Sequence, residues 1–153
     1  MTTKPEKSIT ILVAEDDADD RLLVKKAFED SRLLNEIRFV EDGEDLMDYL
    51  RHKGKYRDGN SAPRPGLILL DLNMPKKDGR EALHEIKSDA ALRRIPVVVL
   101  TTSKTEEDIV RSYDLGVNSF VTKPVKFPAF IEAVKLLGKY WLELVELPAN
   151  GKN

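Results

Sequence analysis

The chain has 153 residues, 41% of them hydrophobic and 34% charged, with a formal net charge of -2. That length supports one sizeable core, and so balanced a charge gives no general attraction to nucleic acid. The absence of cysteine excludes disulfides, thiolate chemistry and cysteine-ligated metals.

The N-terminal MTTKPEKS is not followed by the apolar core of a secretory signal, because the next run meets acids at Glu15. No apolar stretch approaches the roughly 18 residues that cross a bilayer. A cytoplasmic protein without membrane insertion is the expectation.

The first apolar stretch, Ile9 to Ala14, is short, rich in branched residues and apolar on both alternating faces, which predicts a strand covered on both sides. Acids crowd its end: Glu15, Asp16, Asp17, Asp19 and Asp20. Asp19 or Asp20 is expected to cap a helix reaching Asp30, in which Leu22, Leu23, Ala27 and Phe28 recur at helical spacing. Ile37 to Val40 makes a second strand, and Asp42 precedes an amphipathic segment carrying Leu46, Met47, Tyr49 and Leu50.

The stretch Arg51 to Gly66 breaks this rhythm with Gly54, Gly59, Pro63 and Pro65 and with the cations Arg51, Lys53, Lys55, Arg57 and Arg64. It is expected as a loop, with room for one helical turn before Gly54. LILLD, ending in Asp71, restarts as a buried strand, and Gly79 to Lys87 is a helix with Ala82, Leu83 and Ile86 on one side. IPVVVLTTS supplies a fourth strand, Glu106 to Leu115 a helix, and NSFVTKP a short fifth strand. A final helix begins near Phe127 and is expected to reach Leu147.

Five strands separated by helices predict an α/β domain: a doubly wound, five-stranded parallel sheet with helices on both faces. Ligands in such folds bind beyond the carboxyl ends of the strands. The chemically suggestive residues fall at those ends: Glu15, Asp16 and Asp17 after the first strand, Asp71 after the third, Thr101 and Thr102 after the fourth, and Lys123 after the fifth. A solvated strand end or a helix cap would explain any one of them alone. Their recurrence on four strands points to a site.

Held beside Asp16 and Asp17, the Asp71 carboxylate would meet like-charge repulsion that a divalent ion offsets. Oxygen ligands without histidine or thiol nearby in sequence favour Mg2+, or Mn2+, over zinc. Carboxylate, hydroxyl, lysine and ion together suit phosphoryl transfer. Asp71 would attack phosphorus to form an acyl phosphate, Lys123 would stabilise the developing oxygen charge, and Thr101 would hydrogen-bond the transferred group. Simple binding of a phosphate-containing ligand is the alternative. The chain has neither a Walker loop nor G-x-G-x-x-G, which argues against a nucleotide enzyme.

With EDD at 15–17, DLNMPKKDG at 71–79, TTS at 101–103 and KP at 123–124, the chain closely resembles the receiver domains of two-component response regulators over about Ser8 to Leu142. The resemblance implies a flavodoxin-like (βα)5 fold with strand order 2-1-3-4-5. It also implies Asp71 as acceptor of a phosphoryl group from a sensor histidine kinase, and Mg2+ held by Asp16, Asp17, Asp71 and the main-chain carbonyl of Asn73. Thr101 and Phe120 would be the switch pair, Lys123 the phosphate contact, and the Lys123–Pro124 peptide bond cis.

By the same likeness 8–147 is a single receiver domain with an extended C-terminal helix, and 1–7 and 148–153 are flexible tails. Too few residues follow for an output module, so signalling is expected through protein contacts. The basic insertion before the third strand resembles that of stand-alone regulators partnering bacterial phytochrome kinases. Two other readings compete: a Mg2+-dependent aspartyl-phosphate phosphatase of the haloacid dehalogenase type, whose nucleophile motif DxDx differs from DLNMP here, and a pseudo-receiver that binds partners without phosphorylation.

Phe127, Phe130, Ile131, Val134, Tyr140, Trp141, Leu144 and Val145 give the last helix more apolar surface than one core-facing stripe uses, and they are the expected interface of a homodimer.

Overall fold

The structure is a computed structural model, and it describes residues 9–31, 35–72, 74, 76–101, 119–122 and 127–137. Its strands are β1 (Thr10–Ala14), β2 (Glu36–Val40), β3 (Leu67–Leu70), β4 (Val97–Thr101) and β5 (Ser119–Thr122), and its helices α1 (Ala18–Asp30), α2 (Gly43–Arg51), α3 (Gly79–Ser88) and α4 (Phe127–Leu137). The strands form one sheet in the order β2-β1-β3-β4-β5, and all four pairings are parallel. The expected topology is thus the observed one. The helix expected over Glu106 to Leu115, and the extension of the last helix beyond Leu137 to Leu147, lie outside the described residues.

Strand residues alternate between two cores, as the two-residue period of a pleated strand requires. Leu12 and Ala14 of β1, Ile68 and Leu70 of β3, and Val97 and Val99 of β4 face a cluster closed by Leu46, Leu83 and Ile86 of α2 and α3. Ile11, Val13, Leu67, Leu69 and Val98 face the other side, where Val24, Ala27 and Phe28 of α1 and Val134 of α4 cover them. Both sheet faces are buried, so β1, β3 and β4 read as continuous apolar runs rather than as alternating ones.

Three aspartates cap the first three helices. Asp17 accepts from the amides of Asp19 and Asp20, Asp42 from that of Asp45, and Asp78 from that of Glu81. The cap of α1 therefore falls on Asp17, not on Asp19 or Asp20 as the sequence suggested. Those two acids occupy the first turn, where a negative charge is favoured by the helix dipole.

Two of these caps precede a glycine that a close approach demands. A Cβ on Gly79 would lie 2.4 Å from the Asp71 carbonyl oxygen, and one on Gly43 would lie 1.9 Å from that of Lys77. The loop from β3 to α3 is thereby wedged between its own helix and the start of α2, directly after Asp71.

The Arg51–Gly66 segment is a built loop rather than a loose one. After α2, His52 takes a left-handed conformation (φ 55°), and a 3-10 turn covers Gly54–Tyr56. The Tyr49 hydroxyl donates to the Pro63 carbonyl at 2.8 Å, Arg38 donates to that of Ser61 at 2.8 Å, and the Tyr49 and Tyr56 rings meet edge to face.

Candidate functional site

The site grows from the ends of the central strand β3 and its neighbour β1. The Glu15 amide still bonds the Val40 carbonyl at 3.0 Å, and the Asp71 amide bonds that of Ala14 at 3.1 Å, so each acid leaves its strand in a fixed direction. Carboxylate oxygens of Glu15, Asp16 and Asp71 all lie within 4.8 Å of one another. Glu15 is 1% exposed and Asp71 7%, while Asp16 is open to solvent.

The turn from β1 to α1 is tied down by its own side chains. The Asp17 amide donates to Glu15 Oε2 at 3.2 Å, and the Arg21 guanidinium, from the first turn of α1, reaches back to the Glu15 carbonyl at 2.8 Å.

This geometry corrects one expected ligand. Asp17 Oδ1 accepts from the Asp19 amide at 2.8 Å and from the Asp20 amide at 3.1 Å, which turns that carboxylate toward α1 as its N-cap. The acid pair beside Asp71 is Glu15 with Asp16, one residue earlier than the sequence placed it. Glu15 is the member that sequence reasoning undervalued. The available signal was cap spacing: an acid at Asp17 with another three residues on, at Asp20, is the pattern of a helix start.

Three carboxylates this close repel by about 3 kcal/mol per pair at an effective dielectric constant of about 20. The donor set is oxygen only, partly buried and open on the Asp16 side, which suits a hard divalent cation and not zinc or copper.

The remaining expected site residues divide by position. Thr101 is the last residue of β4 and stands in register with Thr122 of β5; Phe120 of β5 is in register with Val99. β4 and β5 thus bring their ends to the same edge of the sheet as the acids. The side chains of Thr101 and Phe120, and Asn73, Lys123 and the Lys123–Pro124 bond altogether, lie outside what is described.

Of the expected interface positions, Val134 is corrected: it is 2% exposed and packs in this chain's own core, and Ile131 packs against the same cluster. Phe127 and Phe130 lie on α4, while Tyr140, Trp141, Leu144 and Val145 fall outside the described residues.

A five-stranded parallel sheet with order 2-1-3-4-5, carrying an acid cluster at the ends of its first and third strands, is the architecture of a receiver domain. The family model for the response regulator receiver domain matches residues 11–135, and the chain belongs to that family.

Within it, the response regulator Rcp1 of Synechocystis sp. is 46% identical over 139 residues, spanning 91% of this chain and 92% of Rcp1. The crystal structure of the phosphorylated cyanobacterial phytochrome response regulator RcpA superposes with a TM-score of 0.85 at 48% identity, covering 92% of this chain and 99% of that one. The Mn2+-bound form of Rcp1 gives a TM-score of 0.84 at 45% identity, with the same shares covered. Among the described residues no helix is long and apolar enough to cross a membrane.

Proposed function

We propose that this receiver domain is a phosphorylation-activated switch that takes a phosphoryl group from a sensor histidine kinase onto Asp71. The observation that carries the reading is the convergence of Glu15, Asp16 and Asp71 at the ends of the neighbouring strands β1 and β3. In the transfer, an Asp71 carboxylate oxygen attacks phosphorus, the P–N bond of the phosphohistidine breaks, and its electron pair returns to the imidazole. The product is a mixed anhydride on Asp71. Hydrolysis, by attack of water on phosphorus, later restores the carboxylate and releases inorganic phosphate.

Glu15, Asp16 and Asp71 would hold the divalent ion, which offsets their mutual repulsion and the charge of the phosphoryl oxygens. We assign Mg2+ to the site, with Mn2+ able to replace it, because both are hard cations suited to oxygen donors. The main-chain carbonyl of Asn73 would add a ligand. Lys123 would contact the phosphoryl oxygens, where an ammonium has three donors and no acceptor. Thr101 and Phe120 would transmit the change to the surface of β4 and β5.

The similarity to Rcp1 and RcpA supports a phytochrome-like kinase as the donor, a cytoplasmic setting and output through protein contacts, including a homodimer. The match to the receiver family over residues 11–135 leaves the phosphatase reading without support. The site's acids and acceptor are in place, which weighs against a pseudo-receiver.

Acetyl phosphate with Mg2+, followed by intact-mass analysis, tests the proposal. The expected result is one labile phosphoryl group per chain, lost on adding a chelator beforehand and absent from Asp71→Asn. An unmodified chain under varied ion and donor conditions would point to the pseudo-receiver instead.

A further inference from the structure

The basic loop has no part in the phosphoryl site, which lies at the opposite end of the sheet. Between the loop and the turn from α3 to β4 is a cavity of about 110 Å³, lined chiefly by Leu50, His52, Arg64, Pro65, Leu92 and Ile95. Its position is at the start of β3 and β4, since Pro65 precedes Leu67 and Ile95 precedes Val97.

The walls are held in place from both sides. His52 Nε2 pairs with the Ala62 carbonyl at 2.8 Å across the loop, and Lys87 of α3 donates to the carbonyls of Arg93 and Ile95.

One exposed cation lines this space and three more are exposed next in sequence to its lining residues. Arg64 lines it, Lys53 adjoins His52, and Arg93 and Arg94 lie between Leu92 and Ile95. Among the described residues, none of these four has an ion-pair partner. Two acids near them in sequence are already engaged: Asp58 accepts from the Ser61 amide and hydroxyl, and Asp89 accepts from the Ala91 amide and forms an ion pair with Arg51 at 3.8 Å. The apolar recess thus has Arg64 on its wall, with Lys53, Arg93 and Arg94 exposed at positions adjoining its lining residues.

We propose that this cation-rimmed cavity docks an acidic segment of a partner protein, with one aliphatic side chain of that segment seated in the recess and its flanking carboxylates on the rim. Shape and charge together select this occupant. A nucleic acid would be held through its phosphates and offers no aliphatic chain larger than the thymine methyl to fill the cavity. A bilayer is entered by protruding apolar groups, and here the apolar surface is recessed. Because the site lies away from Asp71, docking there is compatible with phosphotransfer.

The test uses the full chain and a set of peptides Glu-Asp-X-Glu-Asp in which X is Leu, Ile, Val or Gly, read by methyl chemical shifts in NMR. The expected result is saturable shifts of the Leu50, Leu92 and Ile95 methyls with the aliphatic peptides and none with the Gly peptide. Binding should weaken as salt rises, and Arg64→Glu with Arg94→Glu should reduce affinity about tenfold or more while leaving phosphorylation by acetyl phosphate unchanged.

The proposal fails if no peptide gives a saturable shift, or if the Gly peptide acts as well as the others. It also fails if oligo-dT or phosphatidylglycerol vesicles bind the same residues more tightly than every peptide, outcomes that would identify a nucleic-acid or lipid surface.

Discussion

Asp16 and Asp17 are neighbours with separate duties, and a pair of substitutions separates them. Asp16 contributes a carboxylate to the acid cluster with Glu15 and Asp71, the proposed ion site, whereas Asp17 holds the first amides of α1. Asp16→Ala is expected to weaken Mn2+ or Mg2+ affinity about tenfold or more, a factor worth about 1.4 kcal/mol. Asp17→Ala should leave that affinity nearly unchanged and cost about 1 kcal/mol of stability through the lost cap. Calorimetric titration and urea unfolding measure the two effects. An Asp17→Ala protein that keeps its stability but loses the ion would reverse the assignment. The acidic cluster itself was legible, because so many carboxylates after a buried strand demand compensation. Its register was not, since sequence cannot tell whether the strand direction ends at Ala14 or carries Glu15 with it. The bond from the Glu15 amide to Val40 decides that, and it depends on a strand 26 residues further on.

At the scale of elements, α2, α3 and the loop after Asp71 are joined by one ionic network. Lys77 pairs with Glu85, and Arg51 at the end of α2 reaches both Glu85 and Asp89, at 3.2 and 3.8 Å. The Lys77 hydrogen bond, chief among its causes, holds the Glu85 carboxyl below the ordinary glutamate range, and the same bond raises the Lys77 ammonium above the ordinary lysine range. The signs follow from linkage. The Glu85 contribution is present above the ordinary glutamate value and disappears as pH falls through the depressed native one. The Lys77 contribution is present below the ordinary lysine value and disappears as pH rises through the elevated native one. Glu85→Gln should therefore destabilise the protein by up to about 1 kcal/mol at neutral pH, and the difference from wild type should vanish in strong acid. Urea unfolding at several pH values checks this, and a difference that persists undiminished in acid would remove the ion pair as its cause. The helices were legible here, because Leu46, Met47, Tyr49 and Ala82, Leu83, Ile86 mark their buried sides. The order within Arg51–Gly66 was not: glycine, proline and charge predict a loop, but its shape rests on Tyr49 and Arg38 bonding carbonyls of Pro63 and Ser61, contacts that local pattern does not encode.

For the whole molecule, the alternation of apolar runs with helical periods gave the layered fold, and the four motifs in order gave the strand sequence along the sheet. The surplus of apolar residues on the last helix is partly spent inside the chain, since Val134 fills the core beside α1, while Leu136 stays 68% exposed. Dimerisation is therefore proposed through the expected interface positions other than Val134, with Trp141 as the one to test. Sedimentation over a concentration series should show self-association that strengthens on phosphorylation and is disrupted by Trp141→Glu. A monomer at every concentration in both states would rule it out, and a dimer indifferent to Trp141→Glu would move the contact elsewhere. The account as a whole rests on Asp71 as the atom-level acceptor, and chemical trapping reads that directly. Borohydride reduces an aspartyl phosphate to homoserine, so the full chain is treated with acetyl phosphate and Mg2+, reduced, digested and sequenced by mass spectrometry. The predicted result is homoserine at position 71 and aspartate retained at positions 16 and 17; homoserine at either of those positions, or at none while phosphate is incorporated, would contradict it.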